Sequence, residues 1–308
     1  MILGLDDQRK DILRSIEKNR LVSSILFSGA EGVGKKKLAI SIAKKILCST
    51  EYLEKLFDSG TLPDYLYVEE EKVIKVERIE EIINFSSIKP MYSDKKVVLI
   101  NDAHKLNEYA QNKLLKTMEE APLFLHIFLI THRPSLLLDT ILSRVVEYSF
   151  KPIDKDIIFN SLDKSFDEDK RKIAAHFSSG SFKIAKEILE DDEKLKFLLV
   201  PKDIFSSIVK SDEFALFDLI MENSDSDEKA LELIYNSKMW LRDIIMDSYS
   251  TYFMHRDILD MHKTFIDNEK LVKCLHLLDE AVIRINSSIN ARAVLINCFA
   301  KMYMEING

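Results

Sequence analysis

Only three cysteines occur in this chain of 308 residues, Cys48, Cys274 and Cys298, and no two of them form a C-x-x-C pair. Their scarcity and scatter exclude a disulfide framework and a structural zinc site, and leave buried thiols as the expected state. Long apolar runs are missing as well. "KVVLIN" and "HIFLIT" are short and interrupted, so no segment reaches the roughly 20 consecutive apolar residues of a membrane span. Basic charge is in deficit: 44 Lys and Arg face 51 Asp and Glu, a net charge of -7. A protein that holds nucleic acid by itself needs a concentrated basic surface, so only a shared or minor DNA contact is left open. The opening "MILGLDDQRK" carries two acids where a secretion signal has a basic start and a long apolar core. A cytoplasmic protein with no membrane partner is expected. The seven histidines are scattered, and none pairs with Ser or Cys in a nucleophile motif.

What is present is an ordinary soluble mixture, 46% hydrophobic and 31% charged, with length for two or three domains. Up to about residue 150 the pattern alternates. "SSILFS" (23–28), "DYLYVE" (64–69), "VVLIN" (97–101), "HIFLIT" (126–131) and "VVEYSF" (145–150) read as strands. Between the first and second, Leu38, Ala39, Ile42, Ala43 and Ile46 recur at helical spacing. Between the third and fourth, Leu106, Ala110, Leu114, Leu115 and Met118 do the same, and Pro122 stops that helix. Strands separated by helices of this length predict a parallel, doubly wound sheet. After "KPID" (151–154) strand signals vanish. A small helical segment follows with "SSGSF" (178–182) as its central turn, and beyond Pro201 only helices are expected. Ser226 is the expected N-cap of one of them, with Ala230, Leu233, Ile234, Trp240, Leu241, Ile244 and Ile245 on its apolar side. The expected division is 1–152, 153–198 and 199–308.

The stretch "LFSGAEGVGKKKLA" places Gly29, Gly32, Gly34 and Lys35 in the spacing of a phosphate-binding loop, directly after a strand and opening a helix. Backbone N–H groups of residues 30–35 are then poised to cradle phosphates at a helix N-terminus. The residue after the loop lysine ordinarily offers Mg²⁺ a hydroxyl; here it is Lys36, an ammonium that repels a cation. A second metal contact is expected from an acid ending a buried strand, and "VVLINDAH" has the neutral Asn101 there, with Asp102 one residue later. Efficient Mg·ATP hydrolysis is therefore not expected, because phosphoryl transfer depends on the metal and on positioning. Hydrolysis with Asp102 shifted into the metal's service is the alternative, and permanent holding of ATP or ADP is a third reading. The lysines near "SIKPMYSDKK" (Lys89, Lys95, Lys96) read as a solvated loop.

Together, "LFSGAEGVGKKKLA", "VVLINDAHKLNEYAQNKLLKTMEEAP" and "IFLITHRPSLLLDTILSRVVEYSF" resemble consecutive blocks of the clamp-loader subunits of bacterial DNA polymerase III, which are AAA+ ATPases. The resemblance is strong to about residue 150, traceable through "GSFKIA" and architectural beyond residue 200. It implies an α/β P-loop AAA+ domain, a small helical lid and an all-α collar. The weakened metal contacts look like those of the delta-prime subunit rather than the gamma or tau ATPase. In the family a Ser-Arg-Cys motif supplies an arginine finger to a neighbouring subunit's nucleotide; Ser143 and Arg144 match it, and Val145 replaces the cysteine. Thr131 falls at the first sensor position. Lys183, after Gly180 and Ser181, stands near where active subunits carry a second-sensor arginine. The four-cysteine zinc module of many relatives is absent from "LCSTEYLEKLFDSGTLPDY", so no metal is expected. The resemblance implies gamma/tau and delta subunits as partners, with the sliding clamp and primer-template DNA reached through the assembled complex. No cofactor is required on this reading, and any binding of ATP or ADP is expected to be weak.

Overall fold

In the computed structural model, residues 6–18, 20–247 and 267–308 are described. The first five residues, and 248–266 within the expected collar, lie outside them. All five expected strands form: β1 (Ser24–Gly29), β2 (Tyr65–Val68), β3 (Lys96–Ile100), β4 (Leu125–Ile130) and β5 (Val146–Phe150). They make one parallel sheet in the order β2-β3-β4-β1-β5. Every residue of β3 and β4 is buried, as their unbroken apolar runs require of strands covered on both faces. On one face Leu26, Val98, Ile100, Ile127 and Leu129 pack with Ile79 and Ile82 of α4 (Val76–Ser87) and Leu114 and Met118 of α5 (Glu108–Glu119). On β1, Phe27 has Phe128, Tyr148 and Phe150 as ring neighbours, with centroids 5.5, 6.5 and 6.0 Å away. The helix α2 (Lys35–Leu47), which comes after α1 (Asp6–Glu17) and before α3 (Glu51–Asp58), buries Leu38, Ala39, Ile42, Ala43 and Leu47. Because the strands are parallel, the loops after β1, β3 and β4 gather at one end of the sheet, where α/β proteins hold ligands.

The described residues form two compact units. The first comprises residues 1–164 with 178–186, and the second 165–177 with 187–308, so the stretch 153–198 contributes to both. The second unit is helical. Its core joins Ile204, Phe205, Leu233, Trp240, Leu278, Leu295 and Phe299, and Trp240 stacks on Phe205 with centroids 4.7 Å apart. Ser226 accepts from Lys229 N–H at the start of the helix Asp227–Asp247, as its sequence predicts. Pro201 does not end a helix; it lies inside Asp192–Val209. A proline there costs the helix about 3 kcal/mol. Burial of Leu195, Leu198, Ile204, Phe205 and Ile208 on both sides of it holds the helix together.

At the opposite end of the sheet from the loops, Asp64 stands just before β2 and is 1% exposed. Its carboxylate accepts the N–H groups of Met91 (2.7 Å), Tyr92 (2.6 Å) and Ser93 (2.9 Å), which fixes the turn entering β3. Lys96 departs from the expectation of a solvated loop. It is buried, and its ammonium donates to Phe85 O (2.8 Å) and Ile88 O (3.2 Å), closing the C-terminal end of α4. Its pKa is lowered by that burial. Asp64→Ala removes the acceptor of three charge-assisted hydrogen bonds and is expected to ease local opening by about 3 kcal/mol. The check is amide hydrogen exchange, with Met91, Tyr92 and Ser93 exchanging about a hundredfold faster.

Candidate nucleotide site

The loop after β1 is shaped by glycines in left-handed backbone conformations. Gly29 has φ 126°, and a Cβ there would lie 2.1 Å from Phe150 O on β5. Gly32 has φ 74°, and a Cβ on it would lie 1.9 Å from Ser181 Oγ. Gly34, at φ 101°, turns the chain into α2, whose first residue is Lys35. Lys35 is buried, and its ammonium donates to the carbonyls of Gly29 (2.7 Å) and Ala30 (2.5 Å). Burial pushes its pKa down to about 8, with Glu31 and Asp102 partly offsetting the loss of hydration. The lysine thus fastens the loop to the end of the strand that launches it.

The two positions at which the sequence led us to expect weakened metal contacts, Lys36 and Asn101, converge on one carboxylate. Lys36 Nζ lies 2.8 Å from Glu69 Oε2 and 5.0 Å from the centre of the Tyr67 ring. Asn101 Nδ2 donates to Glu69 Oε1 at 2.7 Å, and the Tyr67 hydroxyl donates to Oε2 at 2.7 Å. Burial alone would raise the Glu69 pKa; donation by Lys36, Tyr67 and Asn101 outweighs it and holds the carboxyl below its ordinary value. The Lys36 ammonium and the Asn101 amide nitrogen are therefore both committed to one protein carboxylate.

The sequence of this half matches the family described as DNA polymerase III, delta subunit, over residues 5–154. That match takes in 150 of the 308 residues. It is 34% identical to DNA polymerase III subunit delta' of Bacillus subtilis over 162 residues, 50% of this chain and 49% of that one. It is 33% identical to subunit tau/gamma of Haemophilus influenzae over 170 residues, 52% of this chain and 25% of that one. The chain spans between 25% and 56% of the length of the first curated relatives it matches. A crystal structure of a gamma-subunit-related protein from Thermotoga maritima aligns with a TM-score of 0.52 at 21% identity, covering 97% of this chain and 99% of that one. The fold is thus the P-loop α/β fold of the AAA+ class, followed by a mostly helical region.

The structure distributes the other candidates over three places. Asp102 follows Asn101 with a left-handed backbone, φ 52° and ψ 48°, and its Oδ2 pairs with Lys105 Nζ at 3.1 Å. Thr131 is fully buried at the end of β4; its hydroxyl accepts from Arg133 N–H (2.9 Å) and bonds with His104 Nδ1 (3.1 Å). Lys183 lies 3.7 Å from Glu31 on the rim of the loop, where both are mostly exposed. Arg144 is elsewhere. It follows the short helix Asp139–Leu142 at the entrance to β5, 40% exposed, with Nη2 2.6 Å from Glu119 Oε1 of α5. Its Nη1 donates to Thr140 O (3.0 Å) and Ser143 Oγ (3.1 Å), while Ser143 Oγ itself donates to Thr140 O (3.0 Å). The sequence reading missed Glu69, His104, His132 and Glu119, which come from four different loops and helices with no local motif. For Glu69 one signal existed: it follows the apolar run of β2, as Asn101 follows that of the adjacent β3.

The depressed Lys35 pKa has a pH signature. Between about pH 8 and 10.5 the unfolded chain holds this proton while the folded one has released it, so stability rises with pH across that window. Lys35→Met is expected to flatten the rise. The check is the chemical-denaturation midpoint of both forms at the two ends of the window.

Proposed function

We propose that this chain is a non-hydrolysing clamp-loader subunit of the delta-prime kind. On this reading it assembles with gamma/tau and delta subunits in the cytoplasm, and the complex loads the sliding clamp onto primer-template DNA for replication. The observation that carries the reading is the convergence of Lys36 and Asn101 on Glu69. With a protein ammonium already neutralising that carboxylate, the site has no local excess of negative charge to draw in Mg²⁺. Phosphoryl transfer without its metal loses the main neutralisation of developing charge. Weak binding of ATP or ADP by the loop is compatible with this, and no cofactor is required.

Arg144 carries the second half of the proposal. It sits on an exposed turn away from its own phosphate loop, held by one carboxylate and two oxygens that a stronger anion can displace. A planar guanidinium in that position is suited to a neighbouring subunit's nucleotide, where it stabilises charge on the transferred phosphoryl group.

The purified chain with Mg²⁺ is expected to release no phosphate from ATP above the level of a Lys35→Ala control. Turnover that vanishes in that control would overturn the reading in favour of a gamma-type ATPase. In the reconstituted complex, Arg144→Ala is expected to lower DNA-stimulated ATP hydrolysis by about a thousandfold at the site it serves. An unchanged rate there would remove the finger assignment while leaving the assembly role in place.

A further inference from the structure

Beside the loop, a group of side chains has a chemistry that the nucleotide reading does not use. Asp102, His104 and His132 each present a ligand atom, and these atoms all lie within 4.8 Å of one another. We infer that these three residues form a binding site for a divalent first-row transition ion of the Zn²⁺ type. This inference is independent of whether the chain hydrolyses ATP.

The donor set selects the ion. One carboxylate oxygen and two imidazole nitrogens suit Zn²⁺ and its neighbours in the transition series, whereas Mg²⁺ is held by oxygen and water. Spacing agrees with this. His132 Nδ1 lies 3.9 Å from Asp102 Oδ1, and the two imidazole rings meet edge to face with centroids 4.3 Å apart. Two ligand atoms about 2.1 Å from one tetrahedral ion stand roughly 3.5 Å from each other, so the Asp102–His132 pair needs to close by a few tenths of an ångström and no pair of the three by more than about 1.3 Å.

The surroundings orient these groups as metal ligands are oriented. Thr131 Oγ1 engages His104 Nδ1 at 3.1 Å, which orients the ring. The hydroxyl is itself positioned by Arg133 N–H and is fully buried. Lys105 takes Asp102 Oδ2, leaving Oδ1, the atom nearer His132, for an ion. Asp102 adopts a left-handed backbone that a non-glycine residue enters at a cost, and that conformation presents its carboxylate toward the two rings. Lys105 and Arg133 both add positive charge, which sets the affinity below that of a closed four-ligand structural site.

The test uses the full chain with ¹⁵N-labelled histidine, titrated with Zn²⁺ alone and separately with Mg²⁺ alone. Saturable shifts of the assigned His104 and His132 ring nitrogens with Zn²⁺, and none with Mg²⁺, are the expected result. Thr131→Val should weaken Zn²⁺ binding by about tenfold to a hundredfold without removing a ligand. His132→Ala should abolish the saturable His104 shift. Unmoved ring nitrogens in the unmodified chain would overturn the inference, as would equal shifts with Mg²⁺. Unchanged affinity in a folded His132→Ala variant would do the same, because the ion would then be bound elsewhere.

Discussion

Lys35 places a cation where a buried parallel sheet ends, and much of the first unit is arranged around keeping that cation satisfied. An ammonium taken from water costs several kcal/mol unless oxygen surrounds it. The loop supplies that oxygen from its own backbone, Gly29 O and Ala30 O, and can do so only because its glycines allow carbonyls to turn inward. Gly29 also lies so close to β5 that the strand and the loop are fixed together. The phosphate-loop shape therefore has a structural rationale in this chain apart from any phosphate.

The same rule operates one step outward. A carboxylate at the end of the sheet also needs partners. Around Glu69 they are internal: Lys36 supplies the positive charge, and Asn101 and Tyr67 complete the donors. Lys36 and Asn101 thus form one charge arrangement, with Glu69 as the shared acceptor.

Arg144 and Glu119 show how a site can be divided between what a chain keeps and what it presents. The guanidinium is ordered by Thr140 O, Ser143 Oγ and Glu119, yet it remains 40% exposed. An exposed pair of this kind contributes at most about 1 kcal/mol, so exchanging Glu119 for a more highly charged anion requires little reorganisation. The order of the turn preserves direction, and the weakness of the pair preserves availability.

The periodicity of the sequence determined the strands, the loop helix and the class of the fold, because parallel strands buried on both faces must be continuously apolar and their crossovers must be helical. The spacing of Gly29, Gly34 and Lys35 likewise determined the loop, since its conformation is set within a few residues. It was not able to reveal that Lys96 is buried, that Pro201 lies within a helix, or that Glu69 joins Lys36 to Asn101. Nor was the meeting of Asp102, His104 and His132 legible, for those residues come from the ends of two adjacent strands, β3 and β4. Each of these depends on partners brought from distant positions by the strand order. Local patterns report which face a residue shows; only the assembled sheet decides which charge stands opposite it.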